Sequence, residues 1–249
     1  MIAVMLAAGT GSRLSGSDES HPPKSLLRFD GRSLLERHVE ILRAHGAEAL
    51  VLVVGYRAAE IEAEIRAIGA ADFVHFVHNP GYRRGSLVSM WCARDVLTSA
   101  GEVLFMDADV LYDPAILARM AEPAGAACLP YDRGFEDGAE PVKLCIEQGR
   151  AVEFRKDVGD VAYDDVGEWI GFIRATPAFA AALAATCERF VGAGRMDDPC
   201  EEAIREVLLT GAGGPVAFAD VTGLPWIEID FPEDVTRAAE EILPAIEGR

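Results

Sequence analysis

The sequence predicts an α/β fold: a mostly parallel central sheet flanked by helices, with a small antiparallel subregion in the second half. Three observations predict it. Apolar runs of strand length alternate with helix-period segments from Ile2 to Ala121. Those runs are apolar at every position instead of alternating, as parallel strands covered on both faces require. A hairpin pattern follows only later, at Val142–Arg155.

Taken in order, Ile2–Ala7 is a buried strand ending in glycines, with no basic segment before it, so no leader peptide is expected. Ser33–Ala44 places Leu34, Leu35, Val39 and Leu42 on one helical face. Ala49–Val54 reads as a strand, Ala58–Ile68 as a charged amphipathic helix and Phe73–Val77 as a strand. Ser86–Leu97 is a helix, Val103–Met106 a strand closing on Asp107-Ala108-Asp109, and Pro114–Ala121 a helix. Beyond these, Val142–Glu147 and Ala151–Arg155 turn at Gln148-Gly149. Trp169–Arg174 reads as one strand, and Pro177–Val191 and Pro199–Leu209 as helices. Pro215–Asp220 and Trp226–Ile229 are short strands, and Pro232–Leu243 is a closing helix stopped by Pro244. No repeat or linker divides the chain. One domain is expected, with a first half at about 1–125, a second half at about 126–230 and a closing helix at 231–249.

Half of the 249 residues are hydrophobic, enough for a large core, yet no run approaches a membrane span. A formal charge of −18 argues against nucleic acid or anionic membrane as partner. Any anionic substrate must therefore meet specific basic residues. Cys92, Cys128, Cys145, Cys187 and Cys200 show no C-x-x-C spacing. They read as buried thiols in a reducing compartment, which predicts a cytoplasmic location.

Four constellations carry chemistry. After the first strand comes Leu6-Ala7-Ala8-Gly9-Thr10-Gly11-Ser12-Arg13, followed by Pro22-Pro23-Lys24. The glycines let the backbone approach phosphates, and Arg13 and Lys24 supply cations. The pattern is neither a Walker A loop nor G-x-G-x-x-G, since Leu14 stands at the third glycine. Asp107 and Asp109 end a strand, where carboxylates suit Mg²⁺; they also read as a solvated turn or helix cap. Asp230 follows Trp226–Ile229, with Glu233 and Asp234 in the first turn of the last helix, where the dipole favours them. The fourth runs from His78-Asn79-Pro80 through Arg83, Arg84, Gly85, Ser86 and Ser89 to Trp91.

L-A-A-G-x-G-x-R…P-K-x-L resembles the N-terminal motif of the GT-A-like nucleotidyltransferase superfamily, whose members make sugar, polyol and amino-alcohol nucleotides. The Asn79–Trp91 stretch resembles the CTP:phosphocholine or aminoalkylphosphonate cytidylyltransferase-like branch. The resemblance implies a Rossmann-like nucleotidyltransferase fold and a Mg²⁺-dependent transfer of CMP from CTP to a small phosphate- or phosphonate-bearing acceptor. It implies catalytic roles for Arg13, Lys24 and Lys156, and metal ligation by Asp109 and Asp230. Nucleotide contacts fall on Leu6, Ala7, Ala8, Gly9, Gly11, Asn79, Gly85, Ser86, Ser89 and Asp107, the N-terminus of the helix at Gly85-Ser86 taking part. Acceptor contacts fall on Lys143, Glu168 and Trp169. Glu168 and Glu201, with Trp169 or Tyr131, would receive an amine or quaternary ammonium, or are solvated acidic faces. The loop Ser15–Pro23 would close over bound nucleotide.

Rival readings are a sugar-1-phosphate or molybdenum-cofactor-type nucleotidyltransferase using another triphosphate, a GT-A glycosyltransferase, and a non-catalytic nucleotide-binding module. The sequence leaves open the acceptor, the base and whether a homodimer forms.

Overall fold

The computed structural model describes residues 1–16 and 21–248, so the middle of the expected lid, Ser17–Ser20, lies outside the described residues. The chain begins with β1 (Ile2–Ala7), the one-turn helix α1 (Ser12–Ser15) and a 3-10 turn at Lys24–Leu26. A short ribbon of β2 (Arg28–Phe29) and β3 (Arg32–Ser33) leads into α2 (Leu34–Ala44), β4 (Ala49–Val54), α3 (Ala58–Ala67) and β5 (Val74–His78). Then come α4 (Ser86–Cys92), α5 (Arg94–Ser99), β6 (Val103–Asp107), β7 (Val110–Tyr112), α6 (Ala115–Ala121) and β8 (Ala127–Asp132). The second half carries β9 (Lys143–Glu147), β10 (Arg150–Arg155), β11 (Asp165–Trp169), β12 (Phe172–Ala175), α7 (Pro177–Gly192) and α8 (Cys200–Thr210). It ends with β13 (Val216–Asp220), β14 (Trp226–Glu228), α9 (Pro232–Arg237), a π-turn at Ala238–Ile242 and α10 (Leu243–Glu247).

The main sheet runs β10-β9-β11-β8-β12-β6-β1-β4-β5, with β13 beside β8. Strands β6, β1, β4 and β5 are parallel, and the antiparallel strands extend the same sheet from β12 to β10. Alternate residues of each central strand serve opposite cores. Val4, Val51 and Phe105 pack with Leu87, Met90, Phe179 and Ile204 under α4, α7 and α8. Met5, Leu52 and Met106 pack with Leu35, Val39, Ile61 and Met120 under α2, α3 and α6. Burying both faces explains why the strands read as unbroken apolar runs. Phe105→Ala is expected to cost about 3–5 kcal/mol by opening a cavity at the first of these cores, visible as a lower urea midpoint at unchanged slope.

Three expected elements divide. The Trp169–Arg174 strand is two strands, because Gly171 takes φ +86°, a conformation a continuous strand does not hold. The Ser86–Leu97 helix breaks at Ala93, where the Arg94 guanidinium, 4.3 Å over the Trp91 ring, donates to the Trp91 carbonyl. The closing helix does not stop at Pro244. It passes through the π-turn and restarts, placing Pro244 in a first turn, where its missing N–H costs nothing. Cys128, Cys145, Cys187 and Cys200 are buried free thiols and Cys92 a partly buried one. No helix among the described residues is long and apolar enough to cross a membrane.

Candidate active site

Parallel pairing of β1 with β6 sets Leu6 beside Asp107, so the loops leaving both strands emerge together at their carboxyl ends. The β7–β14 ribbon pairs Val110 with Glu228, and Ile229 N–H donates to the Asp109 carbonyl at 2.9 Å. That pairing draws Asp230 to Asp109 from 121 positions down the chain, counting 230 minus 109. The result is a cleft of about 280 Å³ whose walls include Leu6, Ala7, Ala8, Gly9, Gly11, Arg13, Lys24, Ser86, Ser89, Asp107 and Asp109.

Gly11 sits at φ +64° and starts α1, and a Cβ there would meet Lys24 Cγ at 3.3 Å. The position needs glycine for its dihedral angle and for the lysine stem that crosses it. Lys24 Nζ lies 3.0 Å from Asp109 Oδ2 and 2.6 Å from Asp230 Oδ1. Burial alone would lower its pKa, but the two carboxylates outweigh burial and hold the ammonium above its ordinary value. Arg13 Nη1 reaches Asp230 Oδ2 at 2.7 Å and Glu140 Oε2 at 2.9 Å. Asp234 Oδ2 accepts from the backbone N–H groups of Asp230 and Phe231 at 3.0 and 2.7 Å, which fixes the turn carrying Asp230.

Carboxylate oxygens of Asp109, Glu228 and Asp230 lie within 4.8 Å of one another. Hard oxygen donors of this kind suit Mg²⁺, and Lys24 already shows that the space between Asp109 and Asp230 accepts positive charge. The donor set therefore fits a divalent cation. Glu228 is itself exposed, and the crowding around its carboxyl first, then the charges of Asp109 and Asp230, raises it above the ordinary carboxylate range, to about 8. Burial, then Asp109 and Glu228, raises Asp107 well above the usual carboxylate range.

Glu228 was missing from the candidates above. The signal is strand alternation: Trp226, Glu228 and Asp230 share the cleft-side face, while Ile227 and Ile229 are buried between them. Tyr82, Arg84 and Glu201 also line the cleft, with Arg84 held in a bidentate pair by Asp197.

Two expected nucleotide contacts stand back from the cleft. Asn79 is buried, donating to Ser89 Oγ at 2.9 Å and accepting from Gly81 N–H at 2.8 Å, so it orients Ser89. The N-terminus of α4 is covered: Gly85 N–H and Leu87 N–H donate to the carbonyls of Met196 and Asp198 at 3.0 and 3.2 Å. Those donors are spent on protein, leaving Ser86 and Ser89 as the α4 residues on the cleft.

A second cavity of about 310 Å³ adjoins the first and shares Glu228 with it. Its walls include Asp132, Glu140, Glu168, Trp226, Asp230 and Phe231. Here Glu168 and Trp169 part company, because neighbours on a strand face opposite ways. Glu168 faces the cavity; Trp169 is core, edge-on to Phe154 with its Nε1–H donating to the Phe172 carbonyl at 2.8 Å. Trp226, donating to Asp132 Oδ2 at 2.9 Å, supplies the aromatic wall instead. Neither Lys143, paired with Asp137 at 2.7 Å, nor Lys156, paired with Glu140 at 2.8 Å, is among the walls of either cavity; Lys156 is tied to the second one through Glu140. Tyr131 is turned to Asp165 at 2.8 Å.

Burial, then Asp132, pushes Glu168 up to about 7. Its unfolded carboxyl loses the proton near 4.5 while the folded one keeps it, so stability present below that pH is lost as pH rises towards 7. Glu168→Gln removes this dependence: the variant is expected to gain thermal stability over wild type at pH 8 and to match it at pH 4.5. Equal melting temperatures at pH 8 would exclude a buried carboxyl there.

The family described as the MobA-like NTP transferase domain matches residues 3–199. The bifunctional IPC transferase and DIPP synthase of Rubrobacter xylanophilus is 32% identical over 244 residues, 97% of this chain and 52% of that protein. The CMP-5'-(3-aminopropyl)phosphonate synthase of Streptomyces rubellomurinus is 30% identical over 253 residues, 95% of this chain and 38% of that protein. The chain thus spans about half or less of these relatives' lengths. Among solved structures, the inositol-1-phosphate CTP transferase from T. maritima superposes with a TM-score of 0.77 at 23% identity, covering 99% of this chain and 96% of that one. The CTP:phosphocholine cytidylyltransferase from Streptococcus pneumoniae gives 0.72 at 18% identity, over 97% and 99%. At these identities the two structures speak for the fold alone.

Proposed function

The chain belongs to the MobA-like NTP transferase domain family, and from that premise we propose that it is a Mg²⁺-dependent cytidylyltransferase. It moves CMP from CTP to a small phosphate or phosphonate and releases pyrophosphate. The observation that carries this reading is the meeting of Lys24, Arg13, Asp109, Glu228 and Asp230 at one end of a glycine-lined cleft. CTP is favoured because a relative named for a CMP product, the CMP-5'-(3-aminopropyl)phosphonate synthase, matches 95% of the chain at 30% identity.

An ionised oxygen of the acceptor attacks the α-phosphorus, and the bond to the β-phosphoryl oxygen breaks. No general base is required, since the second pKa of a phosphate monoester is about 6. The backbone of Leu6–Gly9 and Gly11 lets the triphosphate approach closely, and Arg13 and Lys24 neutralise its charge. A divalent cation held by Asp109, Glu228 and Asp230 would polarise the α-phosphoryl group and spread its growing charge. Residues 1–125 act as the nucleotide half and 126–230 as the acceptor half of one catalytic unit.

The acceptor cavity favours an acceptor carrying an ammonium. Asp132 and Glu140 supply negative charge, Glu168 a carboxyl that ionises beside an incoming cation, and Trp226 a ring face, while Lys156 and Arg13, both paired with Glu140, would meet the acceptor phosphate. The test is pyrophosphate release across CTP, GTP, UTP and ATP, each with phosphocholine, 2-aminoethylphosphonate, inositol 1-phosphate and a hexose 1-phosphate. CTP with an ammonium-bearing acceptor is expected to be fastest. Fastest release with a hexose 1-phosphate or with GTP would replace this reading by a sugar-nucleotide or cofactor-type one. Release with no pair would leave a nucleotide-binding module.

A further inference from the structure

Pro23 and Lys24 line the cleft, and the residue two positions before Pro23 ties their segment to the glycine loop. His21 Nε2 lies 2.8 Å from the Thr10 carbonyl oxygen, and His21 Nδ1 lies 2.7 Å from the Pro22 carbonyl oxygen. A carbonyl oxygen only accepts, so each ring nitrogen bonds there only if it carries hydrogen. Neutral imidazole donates from one nitrogen and presents a lone pair at the other. Both bonds therefore exist together in the imidazolium alone.

The residue is anchored beyond its ring. Tyr56 Oη and Arg57 Nη1 donate to the His21 carbonyl at 3.0 and 2.7 Å. The Tyr56 ring lies against the imidazole, with centroids 5.6 Å apart. A Cβ on Gly11 would meet His21 Cε1 at 3.1 Å and Lys24 Cγ at 3.3 Å, so the imidazole and the lysine stem press on the same glycine. Gly11 lines the cleft, while His21 is not among the cleft walls. Across the trans peptide from Thr10 to Gly11, C=O and N–H point opposite ways. The bond to the Thr10 carbonyl therefore sets the direction of the loop backbone where it reaches the cleft.

The charges around the ring leave its proton easy to lose. Among the described residues, these groups are Lys24 from its own segment, Tyr56 and Arg57 from the turn after β4, and Glu60, which pairs with Arg57. Arg13, on the loop that the ring holds, is turned to Asp230 and Glu140. Lys24 and Arg57 are cations and oppose a charged imidazole, while the two carbonyls favour it. A triphosphate entering the cleft adds negative charge and shifts that balance toward the imidazolium.

We propose that His21 is a positioning residue for nucleotide binding: its imidazolium clasps the glycine loop to Pro22-Pro23-Lys24, and loss of one ring proton releases one end of the clasp. Proton and triphosphate then bind cooperatively, and the clasp's contribution to affinity falls as pH rises. This role rests on the nucleotide reading of the cleft but not on the choice of base.

Calorimetric titration of the whole protein with inorganic tripolyphosphate in Mg²⁺, at about pH 6 and about pH 8, tests it by comparing wild type with His21→Gln, whose amide donates hydrogen bonds and does not titrate. The ratio of wild-type to variant affinity is expected to fall about tenfold across that range, through loss of one bond from a charged donor. Other groups that titrate there, Glu228 among them, are common to both proteins and cancel in the ratio. His21→Asn, a second variant that does not titrate, should give the same profile. Parallel profiles for wild type and both variants, or no tripolyphosphate binding to wild type, would overturn the clasp. The expected ratio together with equal wild-type affinities for CTP, GTP, UTP and ATP would uphold the clasp and remove the cytidylyl reading.

Discussion

Asp230→Asn is expected to lower turnover about a thousandfold while the protein stays folded. The side chain is 12% exposed and stands between two cations, Lys24 at 2.6 Å and Arg13 at 2.7 Å. It is also one of the three carboxylates grouped for a metal. Asparagine keeps the shape but removes the charge, so cation binding and the alignment of Lys24 and Arg13 fail together. The fold survives because Lys24 keeps Asp109 and the turn is still held by Asp234. Circular dichroism and steady-state pyrophosphate release read the two halves of this expectation. Turnover within tenfold of wild type would remove Asp230 from the reaction.

Lys24→Ala is expected to cost about a hundredfold, with a second, physical signature. Lys24 is the cation between Asp109 and Asp230. Without it, Asp109 and Asp230 face each other with only Arg13 nearby, and the variant should melt below wild type in chelator. Added Mg²⁺ should raise its melting temperature more than that of wild type, because the ion then relieves repulsion that the lysine otherwise offsets. Equal Mg²⁺ responses would mean that the three carboxylates do not form one cation site.

The parallel half of the fold was legible because strands buried on both faces are plain apolar runs, as Ala49–Val54 and Ile2–Ala7 are. Strand β8 is not legible because Pro130 interrupts its pattern, nor β7 because three residues carry no period. Among the candidate site residues, the glycine loop, Arg13, Lys24, Asp107, Asp109 and Asp230 are legible as local motifs; β1–β6 pairing gathers all but Asp230 on the first cleft, and β7–β14 pairing brings Asp230 to Lys24 and Arg13 from the second cavity. What depended on long-range packing was not legible. Nothing near Gly85 signals that Met196–Asp198 will cover the α4 N-terminus. Glu228 and the Glu168/Trp169 division were accessible in principle: period-two alternation assigns Glu228 to the face of Asp230 and forbids Glu168 and Trp169 from facing the same cavity.

The most direct test of the central claim is calorimetric titration of CTP into the wild-type protein, with Mg²⁺ and then with chelator. If Arg13, Lys24, Asp109, Glu228 and Asp230 form a metal–triphosphate site, CTP binds at one site per chain with Mg²⁺ and at least about tenfold more weakly without it. Equal affinity in chelator, or no binding in either condition, would contradict the account.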